Sequence, residues 1–168
     1  MAEQDNANNG AGAQANQQGQ KSLQIQRIYV KDFSFESPQS PQVFSQADFR
    51  PEFKMNLGNQ ARQVGEDLYE VVLTVSVEAR QDDKPVFLAE LHHAGLFTVT
   101  GFEKEEADVV LGSFCPAQLY PYAREVITST VVNGGFPAPQ LQPVNFDQLY
   151  QRQREQQAGN EAQQGGQA

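Results

Sequence analysis

The sequence predicts an α+β domain built on an antiparallel sheet, and three observations predict it. Apolar and polar residues alternate through several segments between Leu23 and Phe102, the period of a half-buried strand. From Glu103 onward the apolar spacing changes to the three and four residues of a helix. Strands therefore come first and helices afterwards, the order of an α+β fold rather than of a parallel βαβ sheet.

The first strand is read in "LQIQRIYVKDFSFE". Leu23, Ile25 and Arg27 are placed on one side and Gln24, Gln26 and Ile28 on the other. Further on, Phe33 and Phe35 share one face, and Asp32, Ser34 and Glu36 the opposite one. Pro38 and Pro41 end this strand by fixing φ and removing backbone donors. A loop with Phe44 and Phe49 leads to a short strand, "FKMNL", whose greasy side is Phe53, Met55 and Leu57, and "GNQARQVGEDL" is read as a break. Next, "YEVVLTVSVEA" is a β-branched strand with Val71, Leu73, Val75 and Val77 on one face. A charged turn, "RQDDK", leads into "VFLAELHHAGLFTVTGF", where Gly95 signals a bulge or bend.

In the helical half, Ala107, Val110, Leu111 and Phe114 keep helical spacing, and Leu119, Ala123, Ile127 and Val131 step by four up to "NGG". Pro116 and Pro121 predict a kink or a break between two helices. The Pro-rich "GGFPAPQLQPVNF" reads as an extended crossover that leaves Phe136 and Leu141 exposed or half-buried. Asn145 with Gln148 then starts a last helix as a variant capping box.

Both ends are polar and low in complexity. Residues 1–21 are read as a disordered N-terminal tail, 22–157 as one folded domain and 158–168 as a second disordered tail. No secretory leader and no run of about 18 apolar residues is visible, so a soluble intracellular protein with no stable membrane insertion is expected. The chain carries 21 acidic against 12 basic residues, a net charge of −9. Such a surface repels phosphates, which disfavours nucleic acid and favours a basic protein partner.

The chemistry-bearing residues are sparse. His92 and His93 are the chain's two histidines, and neighbours on a strand point to opposite faces, so they cannot share a metal. Cys115 has no cysteine to pair with and reads as a buried small hydrophobe. Neither a serine-hydrolase elbow nor a phosphate-binding glycine loop occurs, so neither enzyme nor cofactor is expected. The positive features are the acids Asp32 and Glu36 on one strand face and a surplus of aromatics outside regular elements: Phe44, Phe49, Phe136, Phe146 and Tyr150.

These segments, from "IQRIYVKDFSFESPQSPQVF" through "DLYEVVLTVSV", "FLAEL" and "YPYARE" to "GFPAPQLQPVNFDQLY", resemble SecB, a family of bacterial protein-export chaperones, over roughly residues 23–150. The resemblance implies a four-stranded antiparallel sheet with helices on one side, and a cytoplasmic homotetramer arranged as a dimer of dimers. It implies an ATP-independent chaperone that holds unfolded precursor proteins in hydrophobic grooves and delivers them to the SecA translocase ATPase. The matching positions are Asp32, Glu36, Leu88 and Glu90 for SecA docking. For the client groove they are Phe49, Phe53, Met55, Leu57, Phe136, Leu141, Phe146, Leu149 and Tyr150. Ala89, Leu91 and His93 fall in the neighbourhood that supports tetramer assembly. The tails depart most from the family, and the C-terminal one carries Arg152 and Arg154 among glutamines. Two alternatives are a chaperone of the same fold dedicated to a toxin-antitoxin pair and a small-molecule binding protein.

Overall fold

The computed structural model describes residues 20–164. The disorder read for residues 1–19 and 165–168 lies outside the described residues. Four strands come first: β1 (Ser22–Glu36), β2 (Glu52–Gly65), β3 (Leu68–Gln81) and β4 (Lys84–Thr100). They form one antiparallel sheet in the order β1-β4-β3-β2. Helices α1 (Lys104–Val109), α2 (Cys115–Asn133) and α3 (Phe146–Gln164) follow. The expected α+β sheet with helices on one side is what the chain forms, and α3 continues past the boundary read at 157.

One face of the sheet makes the core. Val71, Leu73, Val75, Val77 and Ala79 of β3 lie beside Phe87, Ala89, Leu91 and Phe97 of β4, all fully buried. Onto them α2 lays Leu119, Ala123, Ile127 and Val131, its stripe at steps of four, also without accessible surface. Each of the Val, Leu, Ile and Phe side chains contributes about 1.5–3 kcal/mol of burial, so this face dominates the stability of the fold.

Four local readings change. Register shifts in β1, between Ile25 and Arg27 and between Val30 and Asp32, insert an extra residue at Gln26 and at Lys31. Each insertion flips the alternation, so Arg27 pairs with Leu96 on the outer face while Leu23 and Ile25 face inward. Further shifts fall at Val64 of β2 and Val86 of β4, and none sits at Gly95, which stays in register with both neighbours. There a Cβ would come within 2.6 Å of Phe97 and 3.0 Å of Leu119, so close packing accounts for the glycine. Second, β2 does not stop at Leu57, because its polar second half pairs residue by residue with β3 as far as Gln63 and, past a bulge at Val64, again at Gly65. An edge strand exposed to water needs no apolar alternation once its neighbour supplies the hydrogen bonds.

Third, the break expected at Pro116 is a π-helical turn, Val110–Phe114, that joins α1 to α2 without interruption. The Cys115 N–H donates to Val110 O, and Pro116, which has no donor, falls in the first turn of α2. Fourth, Phe136 in the crossover is buried, not exposed. Other local readings hold. Asp82 and Asp83 both take positive φ in the two-residue turn between Gln81 and Lys84. At the start of α3, the Gln148 N–H donates to Asn145 Oδ1 at 3.0 Å, the capping bond read from the sequence.

Candidate docking and binding surfaces

Two surfaces of different chemistry lie on opposite sides of the sheet. On the core side, where β1 ends and β4 begins, five phenylalanines gather around a sixth, Phe136. Its ring centroid lies 5.1 Å from that of Phe87, 5.2 Å from Phe44, 6.0 Å from Phe49 and 6.5 Å from Phe35. Phe53 extends the cluster through Phe87 at 6.1 Å. Phe136 is tightly held, whereas Phe44 and Phe53 are half-exposed. A Cβ on Gly134 would come within 2.6 Å of Phe35, and Gly135 takes a φ of 88°; the "GG" after α2 is what lets the crossover turn in under these rings.

A second apolar cluster lies under α3. Tyr120 stands between the two, donating its hydroxyl to Gln142 O at 2.6 Å, with Met55 Sδ 3.7 Å from the Tyr120 Oη and Phe146 edge-on at 5.7 Å. Leu57, Phe146, Leu149 and Tyr150 then pack over Gly112 of the π turn, where any Cβ would overlap the Tyr150 ring. Ser113 of that turn hydrogen-bonds the Asp147 carboxylate, and Asn59 Nδ2 donates to Leu111 O at 3.2 Å, so the turn ties β2 to α3. Beside it opens a cleft of about 520 Å³, lined by Asn59, Arg62, Tyr69, Tyr150 and Arg154 among others.

The structure thus divides the nine groove positions. Phe49, Phe53 and Phe136 join the aromatic cluster, and Leu57, Phe146, Leu149 and Tyr150 the second one. Met55 lies at the Tyr120 bridge, and Leu141 packs half-buried against the core from the crossover. Phe35, Phe87 and Tyr120, which complete these clusters, were not singled out in the sequence. Phe87 and Tyr120 are buried, and only the fold brings the three rings against the groove residues.

On the outer face the register settles who faces whom. Asp32 pairs with His92, Ser34 with Glu90 and Glu36 with Leu88, so the four residues expected for docking share one surface. Glu78, paired with Leu88 from the other side and 2.5 Å from Arg80, adds a carboxylate that the sequence reading missed. Its position opposite to Val71, Val75 and Val77 in the β3 alternation was the available signal. His92 Nε2 lies 3.4 Å from Glu90 Oε1.

Farther along this face Glu70 is nearly buried. Lys31 Nζ lies 2.8 and 3.0 Å from its oxygens, Arg62 Nε 2.7 Å away, and Tyr29 donates its hydroxyl to the same carboxylate. The hydrogen bond from Lys31, helped by those of Tyr29 and Arg62 and opposed by burial, holds the Glu70 carboxyl at about 2. Tyr29, bound to that anion, is raised in turn.

The expected assembly residues need correction. Ala89 and Leu91 have no accessible surface and His93 is 4% exposed, because α2 of the same chain covers them. A side chain sealed in its own core cannot contact another subunit directly. His93 stacks on Tyr122 with centroids 6.2 Å apart, neither ring nitrogen has a hydrogen-bond partner among the described residues, and burial lowers its pKa. Burial likewise pushes the Cys115 thiol up to about 12, which makes it an inert core group. Among the described residues no cluster of metal-ligating side chains occurs, and no helix is long and apolar enough to cross a membrane.

A model of the SecB family, described as preprotein translocase subunit SecB, matches residues 16–157. The chain belongs to the SecB family. Protein-export proteins SecB from Alcanivorax borkumensis and Nitrosococcus oceani are 49% and 45% identical to it, over 85% and 89% of this chain and 92% and 93% of theirs. That of Alkalilimnicola ehrlichii is 44% identical over 99% of this chain and 90% of its own length. A SecB-like chaperone from Mycobacterium tuberculosis, solved in complex with a peptide from the HigA1 antitoxin, superposes with a TM-score of 0.62. At 17% identity, over 73% of this chain and 90% of that one, it shares the fold. SecB is a family of export chaperones and not of enzymes.

Proposed function

We propose that this SecB-family chain is an ATP-independent holding chaperone of the cytoplasm. It keeps unfolded precursor proteins on its aromatic surface and hands them to the SecA ATPase through its acidic sheet face. The observation that carries this reading is the separation of the two surfaces: half-exposed rings on the core side of the sheet, carboxylates of three neighbouring strands on the other. A client can then stay bound while the partner docks.

The rings suit a client of any sequence. A half-exposed phenylalanine offers on the order of 100 Å² of apolar surface, about 2 kcal/mol when covered. Several such contacts along one extended chain add through effective concentration, with no motif required. On the other face, Asp32, Glu36, Glu78 and Glu90 attract a basic segment, speeding and orienting its docking in a salt-dependent way.

Assembly as a homotetramer belongs to the same proposal, with its contacts moved away from Ala89, Leu91 and His93. β1 is an edge strand whose inward-facing Ile25 and Val30 reach beyond the cover of α2 and stay half-exposed, as do Tyr122 and Val132 of α2. Val30 pairs with His93, on which Tyr122 stacks, so this apolar edge is continuous. A second copy of the chain would cover it.

Titration of the purified chain with SecA, beside an Asp32→Ala/Glu90→Ala variant, tests the docking face. The variant should bind at least several-fold more weakly while still suppressing aggregation of an unfolded precursor without nucleotide. Equal binding by the two proteins would remove the docking face from the proposal, and failure to suppress aggregation would remove the holding function.

A further inference from the structure

The outer face of the sheet has two charged ends. At one lie Asp32, Glu36, Glu78 and Glu90; at the other Lys31 and Arg62 hold Glu70, and Arg27 lies in the same row across β4, both it and Glu70 pairing with Leu96. Along β3 the run from Ser76, which pairs with Glu90, to Glu70 covers about 20 Å.

The Glu70 carboxylate does not exhaust its cations. Lys31 spends two of its three donors on it, and Arg62 only its Nε, leaving the Nη groups with no bond to a described residue. Arg27, exposed opposite Leu96, has no ion pair among the described residues. Lys31 and Arg62 border a cavity of about 310 Å³ lined also by Gln60, Ala61, Glu70 and Val72; Arg27 lies outside it, on the far side of β4. Glu66 and Asp67 lie in the β2–β3 turn beyond it and do not line it.

We propose that this cationic end is the second half of the docking surface and receives an acidic side chain, Asp or Glu, of the docking partner. The inference rests on the docking reading above and deepens it. An extended segment lays its basic residues on Asp32, Glu36 and Glu90 and sets a carboxylate about 20 Å farther along, against Arg62, Arg27 and the third donor of Lys31. A uniformly basic segment would be attracted at one end and repelled at the other, so the two ends together impose a direction on the bound chain.

Titration of the full-length chain with SecA tests this, using one variant at each end. Arg27→Gln/Arg62→Gln removes two exposed charges and leaves Lys31 and Tyr29 on Glu70; Asp32→Asn/Glu90→Gln neutralises the other end. Both should weaken binding, the first by about three- to tenfold, and more at low salt than at high. If the acidic-end variant weakens while the cationic-end variant binds as well as the parent or better, this inference is overturned and the docking face stands. If neither variant weakens, both fail. A lowered thermal midpoint in Arg27→Gln/Arg62→Gln with unchanged affinity would likewise overturn it, by assigning Arg62 a purely structural role.

Discussion

Replacing Glu70 by glutamine isolates the buried charge of the outer sheet face. The carboxyl sits at about 2 instead of its ordinary 4.5, a difference equivalent to about 3 kcal/mol of stabilisation of the ionised form. Lys31 is 40% and Arg62 67% exposed, so water screens both partners, and about 1–2 kcal/mol is the expected net effect. The sign follows from the lowered value. As pH falls, the unfolded chain takes up this proton first, so the contribution is complete above 4.5 and is lost as pH falls through about 2. Urea unfolding followed by circular dichroism, at fixed protomer concentration, should show Glu70→Gln less stable by that amount at pH 7. The gap should close steadily between pH 4.5 and 2. Equal stability at pH 7, or a gap that stays constant to pH 2, would refute the assignment of the network to the Glu70 charge.

Two further predictions concern the helical layer. Gly112→Ala places a methyl group inside the Tyr150 ring and should cost about 1–3 kcal/mol, read as faster hydrogen exchange in α3 while β3 and β4 stay protected; unchanged protection of α3 would show that the π turn does not seat it. His93 is held neutral by burial, so its contribution is present above its ordinary 6.5 and is lost as pH falls below that value. The thermal midpoint should drop between pH 7.5 and 5 in the parent and less so in His93→Leu, and parallel drops would acquit the histidine.

By itself the sequence determined the elements that follow one period. The β-branched alternation of β3 and the steps of four in α2 each mark one face, and a face that must be buried leaves little freedom in what it packs against. The same parity correctly separated Asp32 and Glu36 from Phe33 and Phe35, and His92 from His93, because no bulge falls within those stretches. It failed at Arg27, where the bulge at Gln26 carries no signature in residue type.

Only the tertiary structure decided the rest. The outer face became a surface when β1 and β4 set Asp32 against His92 and Glu36 against Leu88, in a register no local pattern specifies. Ala89, Leu91 and His93 became core because α2 chose their side of the sheet, and the proline-bearing segment stayed helical because a π turn absorbed the extra residue. Phe136 became the hub of the aromatic cluster because the turn after α2 folds the crossover back under Phe35 and Phe44. Each outcome depends on contacts between residues far apart in the chain. Burial and charge pairing are properties of such contacts, whereas periodicity reports only the preference of one segment for an inside and an outside.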